Sequence, residues 1–195
     1  FYGCLNNKIR KNNNKFFFAY HWWTAIYKRD LISKNNIKFI EGYSLGEDLL
    51  FLNQAIINCA KLELVDNVYY HYYRREDSED SKILSAEKIK SAIKIFEMIR
   101  DNIRNTGIKN TGTSFVVSEW LKQMCEYPYR TNEEEILKYV LQKILDYYHD
   151  SKDLIINDDK NFSVFSVVMP FIKNNDFNGI YNFYISVRAY PIYSA

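Results

Sequence analysis

Cysteine is scarce in this chain: Cys4, Cys59 and Cys125 are far apart, odd in number and form no Cys-x-x-Cys. That spacing excludes a disulfide framework and a zinc ribbon. Cys59, in the run Ala55-Ile56-Ile57-Asn58-Cys59-Ala60, and Cys125, after Met124 in a helical pattern, read as core or half-buried thiols in a reducing compartment. Long apolar runs are also missing. None reaches the roughly 18–20 residues that span a bilayer, and the longest, Phe162 to Ile172, is broken by serines and Pro170 and reads as a buried strand or a short helix. An excess of one charge is absent too, with 26 Lys and Arg against 24 Asp and Glu. A net charge this small gives no electrostatic case for nucleic acid. Phe1 is not an initiator methionine, and Phe1-Tyr2-Gly3-Cys4 has neither the charged start nor the apolar core of a signal peptide. The expectation is an internal or trimmed cytoplasmic fragment. No Asp-x-Asp occurs, and no internal repeat is visible.

What is present is apolar and aromatic. With 47% hydrophobic residues, 195 residues support a substantial core in one domain or one and a half. The 17 Tyr and 13 Phe combine apolar area with hydroxyls that bond polar ligands. They suit a sugar-binding surface, and equally follow from the base composition behind a chain rich in Asn, Lys and Ile. Lys8, Arg10, Lys11 and Lys15 around Asn12-Asn13-Asn14 read as a solvated loop whose positive field also fits anionic phospholipid head groups or a diphosphate.

Periodicity divides the chain near residue 84. Before it, helices are expected over Thr24–Ser33 and Glu47–Ala60, with one or two strands over Lys61–Tyr73. After it the pattern is helical. Ile89, Ala92, Ile93, Phe96, Ile99 and Ile103 recur on one face, with Gly107 as the stop. A second helix is expected over Thr113–Glu126, before Pro128. A third opens at Thr131 in a capping box with Glu134 and uses Ile136, Val140, Ile144, Leu145 and Tyr148. A last one is expected near Phe177–Arg188, and Trp120, Tyr147 and Tyr148 read as bundle packing.

The most informative stretch is Gly46-Glu47-Asp48-Leu49-Leu50-Phe51, two carboxylates after a glycine at the mouth of an apolar helix. By themselves they complement the helix dipole, at about 0.3–1 kcal/mol each. Their neighbours add meaning: Trp23 to Leu31, with Tyr27-Lys28-Arg29; Ile37-Lys38-Phe39-Ile40-Glu41-Gly42; and Tyr70 to Ser78. In this order and spacing, over about residues 20 to 82, the set resembles the C-terminal half of the catalytic domain of family-2 glycosyltransferases of the GT-A fold. Thr24-Ala25, where the family often has Asn-Lys, and the doubled tyrosines depart from its pattern.

The resemblance implies an α/β fold, with residues 1–84 as the acceptor-side part of a GT-A-like catalytic domain and 85–195 as a mostly helical extension. It implies a bacterial enzyme, peripheral at most to the inner face of the membrane, that moves a sugar with inversion from a nucleotide-sugar donor to a glycan hydroxyl in surface polysaccharide or lipopolysaccharide assembly. Asp48 would be the base that takes the acceptor proton, and Glu47 would orient the acceptor. Gly46, Trp23, His71, Arg74, Arg75 and Ser78 would contact donor or acceptor, the arginines as fixed forks for phosphate oxygens. Mg²⁺ or Mn²⁺ is implied for the complete enzyme, while its Asp-x-Asp ligand motif and the donor half are not in this sequence, so the fragment alone is expected to be inactive. Two other readings stay open. One is a non-catalytic helical module that docks a protein or glycan. The other is a chain that pairs with a separate subunit supplying the donor half, which an exposed sheet edge would permit; a homo-oligomer stays open as well.

Overall fold

The computed structural model describes residues 25–43, 45–60, 83–108, 111–155 and 164–188. Among the described residues seven α-helices follow one another: α1 (Arg29–Lys34), α2 (Glu47–Asn58), α3 (Ala86–Asn105), α4 (Thr111–Glu126), α5 (Glu134–Ser151), α6 (Val164–Lys173) and α7 (Phe177–Arg188), with a 3-10 turn at Tyr127–Arg130 between α4 and α5. There is no β-strand among the described residues. This overturns the α/β expectation: the described chain is helical and is not a GT-A-like α/β fold. The strands expected at Lys61–Tyr73, and the sheet edge that was to receive a partner, lie outside the described residues. The ambiguous run near Pro170 is helix α6. Its buried residues Phe165, Val168, Met169 and Ile172 follow the helical period, which a strand alternating every second residue cannot bury on one face.

α3 is the central element. All six positions expected on its buried face are at most 2% exposed, from Ile89 to Ile103. At about 1.5–3 kcal/mol for each fully buried large apolar side chain, this stripe is a main source of cohesion. Ser85 caps its start by accepting the Lys88 N–H at 3.3 Å. Gly107, at φ +67°, lies just past its end and donates to the Arg104 carbonyl, the left-handed stop that glycine provides. Ile95 is also fully buried and turns a second face of α3 towards α2. α3 thus serves both the short N-terminal helices and the bundle of α4 to α7.

Phe96 stacks on Trp120 of α4 at 4.8 Å between centroids and on Tyr127 of the 3-10 turn at 6.1 Å. α7 closes the bundle. The buried Tyr184 hydroxyl donates to the Cys125 carbonyl at 2.6 Å, and the Arg188 guanidinium donates to the carbonyls of Pro128 and Thr131. Those carbonyls surround a helix end that has no intrahelical donor left to offer them. Thr131 does not form the expected capping box. α5 starts at Glu134, and Thr131 Oγ1 accepts the N–H of Glu133 at 3.2 Å, while Glu134 pairs outward with Lys138 and accepts from Tyr181. α1 begins at Arg29, later than expected, and Ile26 is left almost fully exposed. No helix among the described residues is long and apolar enough to cross a membrane.

Candidate functional site

Gly46 is the structural pivot of the acidic stretch. It precedes α2 with φ +91°, in the left-handed region that disfavours a side chain. It is buried, and a Cβ there would lie 3.2 Å from Ile95 Cγ2. The Gly46 carbonyl accepts from the N–H groups of Leu49 and Leu50 at 3.1 and 3.2 Å, launching the helix. A glycine at this position therefore sets both the entry angle of α2 and its close approach to α3.

Glu47 and Asp48 occupy the first turn of α2, both half-buried. Asp48 Oδ1 accepts the Leu49 N–H at 2.8 Å, which fixes the carboxylate beside the helix end. Successive residues of a helix are turned by about 100°, so the two carboxylates point to different sides of α2 instead of converging on one atom. Glu47 shares its side with Gln54 and Asn58, and Asp48 shares its side with Ala55. Among the described residues no three His, Cys, Asp or Glu gather where they could hold a metal ion. Glu47 and Asp48 by themselves do not fit the divalent ion that the resemblance implies.

Below the acidic turn, a small second core joins α2 to the segment before it. Ile37, Phe51 and Ala55 are buried together, with Tyr27, Leu31 and Ile32 packed against them. Phe39 stacks on Phe51 at 4.4 Å, and Tyr27 meets Phe51 edge-on at 5.4 Å. Burial pushes the Tyr27 hydroxyl above its ordinary pKa. The apolar residues of three separate motif pieces, around Tyr27, Phe39 and Phe51, are therefore one cluster in space. Spacing along the chain gave only their order.

The structure brings together Gly46, Glu47 and Asp48 of the expected site. Trp23, His71, Arg74, Arg75 and Ser78 lie outside the described residues, as do Lys8, Arg10, Lys11 and Lys15. Sequence reasoning missed Ile95, the wall against which Gly46 is set. It also missed a polar groove of about 340 Å³ at the far end of α2, lined by residues from the α1–α2 connection and the ends of α2 and α3. The signal for the groove was faint: asparagines recurring at helix ends, as at Asn35-Asn36 and at Asn102 and Asn105.

The chain is 23% identical over 164 residues to the cholesterol galactosyltransferase of Borreliella burgdorferi, a match covering 81% of this chain and 43% of that protein. It is 34% identical over 56 residues to the uncharacterized glycosyltransferase YibD of Escherichia coli, covering 29% of this chain and 16% of that protein. The chain thus spans less than half the length of either relative. A match that spans 81% of 195 residues reaches across positions 46 to 51 wherever it begins. No family model matches the chain, and no solved structure matches it. The similarity it does have is to proteins named glycosyltransferases, and at that coarse level the chain is glycosyltransferase-like.

Proposed function

We propose that this chain is part of a family-2-type glycosyltransferase in which Asp48 is the base that accepts the proton of a glycan hydroxyl as that hydroxyl attacks a nucleotide-activated sugar with inversion. The observation that carries the reading is the similarity to a galactosyltransferase across a span that must include Gly46 to Phe51. The local geometry supports it: a buried, left-handed glycine holds two half-exposed carboxylates at a rigid helix start packed on α3. A carboxylate suffices as base, because the hydroxyl grows acidic as its bond to the anomeric carbon forms. Glu47, on the adjacent side of the helix, orients the acceptor. The remainder of the complete protein supplies the nucleotide site and, with Mg²⁺ or Mn²⁺, the neutralisation of the leaving diphosphate. The setting is assembly of a bacterial surface glycan at the inner face of the membrane.

The test is Asp48→Asn in the full-length protein, followed by release of nucleoside diphosphate. Asparagine keeps an oxygen for the Leu49 N–H and therefore the helix start, but it loses the base. Turnover is expected to fall by about 10²–10⁴, the usual worth of a positioned base, with the thermal midpoint unchanged. Full activity in this variant refutes the assignment.

A further inference from the structure

Three helices end at one place. Asn35 closes α1, Asn58 ends α2 and Asn105 ends α3, and their last turns border the open groove of about 340 Å³. α2 and α3 run in the same sense, since Gly46 at the start of α2 meets Ile95 midway along α3 while Ile57 and Asn58 share the groove with Asn102 and Asn105. Helix C-termini carry partial negative charge, up to about half an elementary charge each. Every described residue lining the groove is uncharged. Among these described residues, phosphates and carboxylates would therefore meet no cation to offset that repulsion, and a hard divalent cation would find no carboxylate to ligate it.

Amides and hydroxyls dominate instead. Asn35 Nδ2 donates to the Leu31 carbonyl at 2.9 Å and Asn58 Nδ2 to the Gln54 carbonyl at 2.8 Å, which fixes both side chains and leaves their Oδ1 atoms as acceptors. The side chains of Gln54, Asn102 and Asn105 make no hydrogen bond among the described residues, so each offers two donors and a full acceptor. Ile37 and Ile57 give the groove an apolar patch. Alternating donors and acceptors beside apolar surface match a ligand that is hydroxyl-rich, uncharged and apolar on its C–H faces. Glu47, Gln54 and Asn58 lie on one stripe of α2, and the groove sits about 16 Å along the helix from Glu47, at 1.5 Å per residue.

We propose that this amide-lined groove is a saccharide-binding site, and that it holds an uncharged stretch of the glycan whose reacting hydroxyl reaches Glu47 and Asp48. The second half of this statement rests on the function proposed above, whereas saccharide binding in the groove stands without it. The test is ¹H–¹⁵N NMR titration of the chain with maltotriose, lactose and chitotriose, reading the side-chain amide resonances of Gln54, Asn102 and Asn105. At least one of these neutral oligosaccharides is expected to move all three resonances saturably, and the double variant Asn102→Ala/Asn105→Ala to weaken that binding at least tenfold without changing the fold. The same titration is expected to persist in Asp48→Asn. Three silent oligosaccharides overturn the proposal, as do equal shifts with uridine diphosphate or with a Gly-Ser peptide. Groove binding combined with full transfer by Asp48→Asn would sink the catalytic assignment and leave the groove standing. Loss of transfer combined with a silent titration would do the reverse.

Discussion

Replacing Gly46 by alanine probes the site and the packing together. Two costs arise at one atom. The new Cβ enters a backbone with φ +91°, which costs an L-residue about 1–2 kcal/mol. It also meets Ile95 Cγ2 at 3.2 Å and Cβ at 3.4 Å, and Ile95 is fully buried with little room to retreat. Overpacking of this kind costs about 1–3 kcal/mol. Because only one methyl is added, the lower part of that range applies, for a sum of about 2–4 kcal/mol. At about 2–4 °C per kcal/mol for a chain of this size, the thermal midpoint followed by circular dichroism should fall by roughly 5–15 °C. Combining Gly46→Ala with Ile95→Ala separates the terms, since the second change removes both γ-carbons and leaves the dihedral cost. Coupling of about 1 kcal/mol is expected for such touching positions. A single-variant cost below about 0.5 kcal/mol would refute the role given to Gly46, and with it the argument that the acidic turn is rigidly held.

Two further outcomes test the bundle. Tyr184→Phe deletes a buried hydroxyl that donates to the Cys125 carbonyl and should cost about 1–3 kcal/mol in chemical denaturation, whereas Tyr181→Phe, which loses an exposed bond to Glu134, should stay within about 0.5 kcal/mol of the parent; equal costs would contradict the burial of Tyr184. Burial pushes the Cys125 thiol far above its ordinary pKa, so in the folded chain N-ethylmaleimide at mildly alkaline pH should modify the half-buried Cys59 and spare Cys125 until denaturant is added; mass-spectrometric labelling of Cys125 at the rate of Cys59 would show that α7 does not seal that position.

What the sequence determined by itself was periodicity and punctuation. Six apolar positions at helical spacing placed α3, and all six are buried, because a helix has one way to hide such a stripe. Gly107 ended that helix as expected, since a left-handed stop needs a residue without a Cβ. The resemblance around Gly46 also pointed to proteins named glycosyltransferases, as the comparisons do. The α/β fold carried over from that resemblance failed for the described residues, because family order does not dictate which local period a segment obeys, and the run at α6 obeys the helical one. Tertiary structure alone decided the rest. Ile95 turned out to be the wall that requires glycine at position 46, a constraint between residues nearly fifty apart that no local pattern carries. Tyr27, Phe39 and Phe51 became one cluster because α2 folds back on the segment before it. The amides of three helix ends became one groove because α2 and α3 run in the same sense and finish side by side.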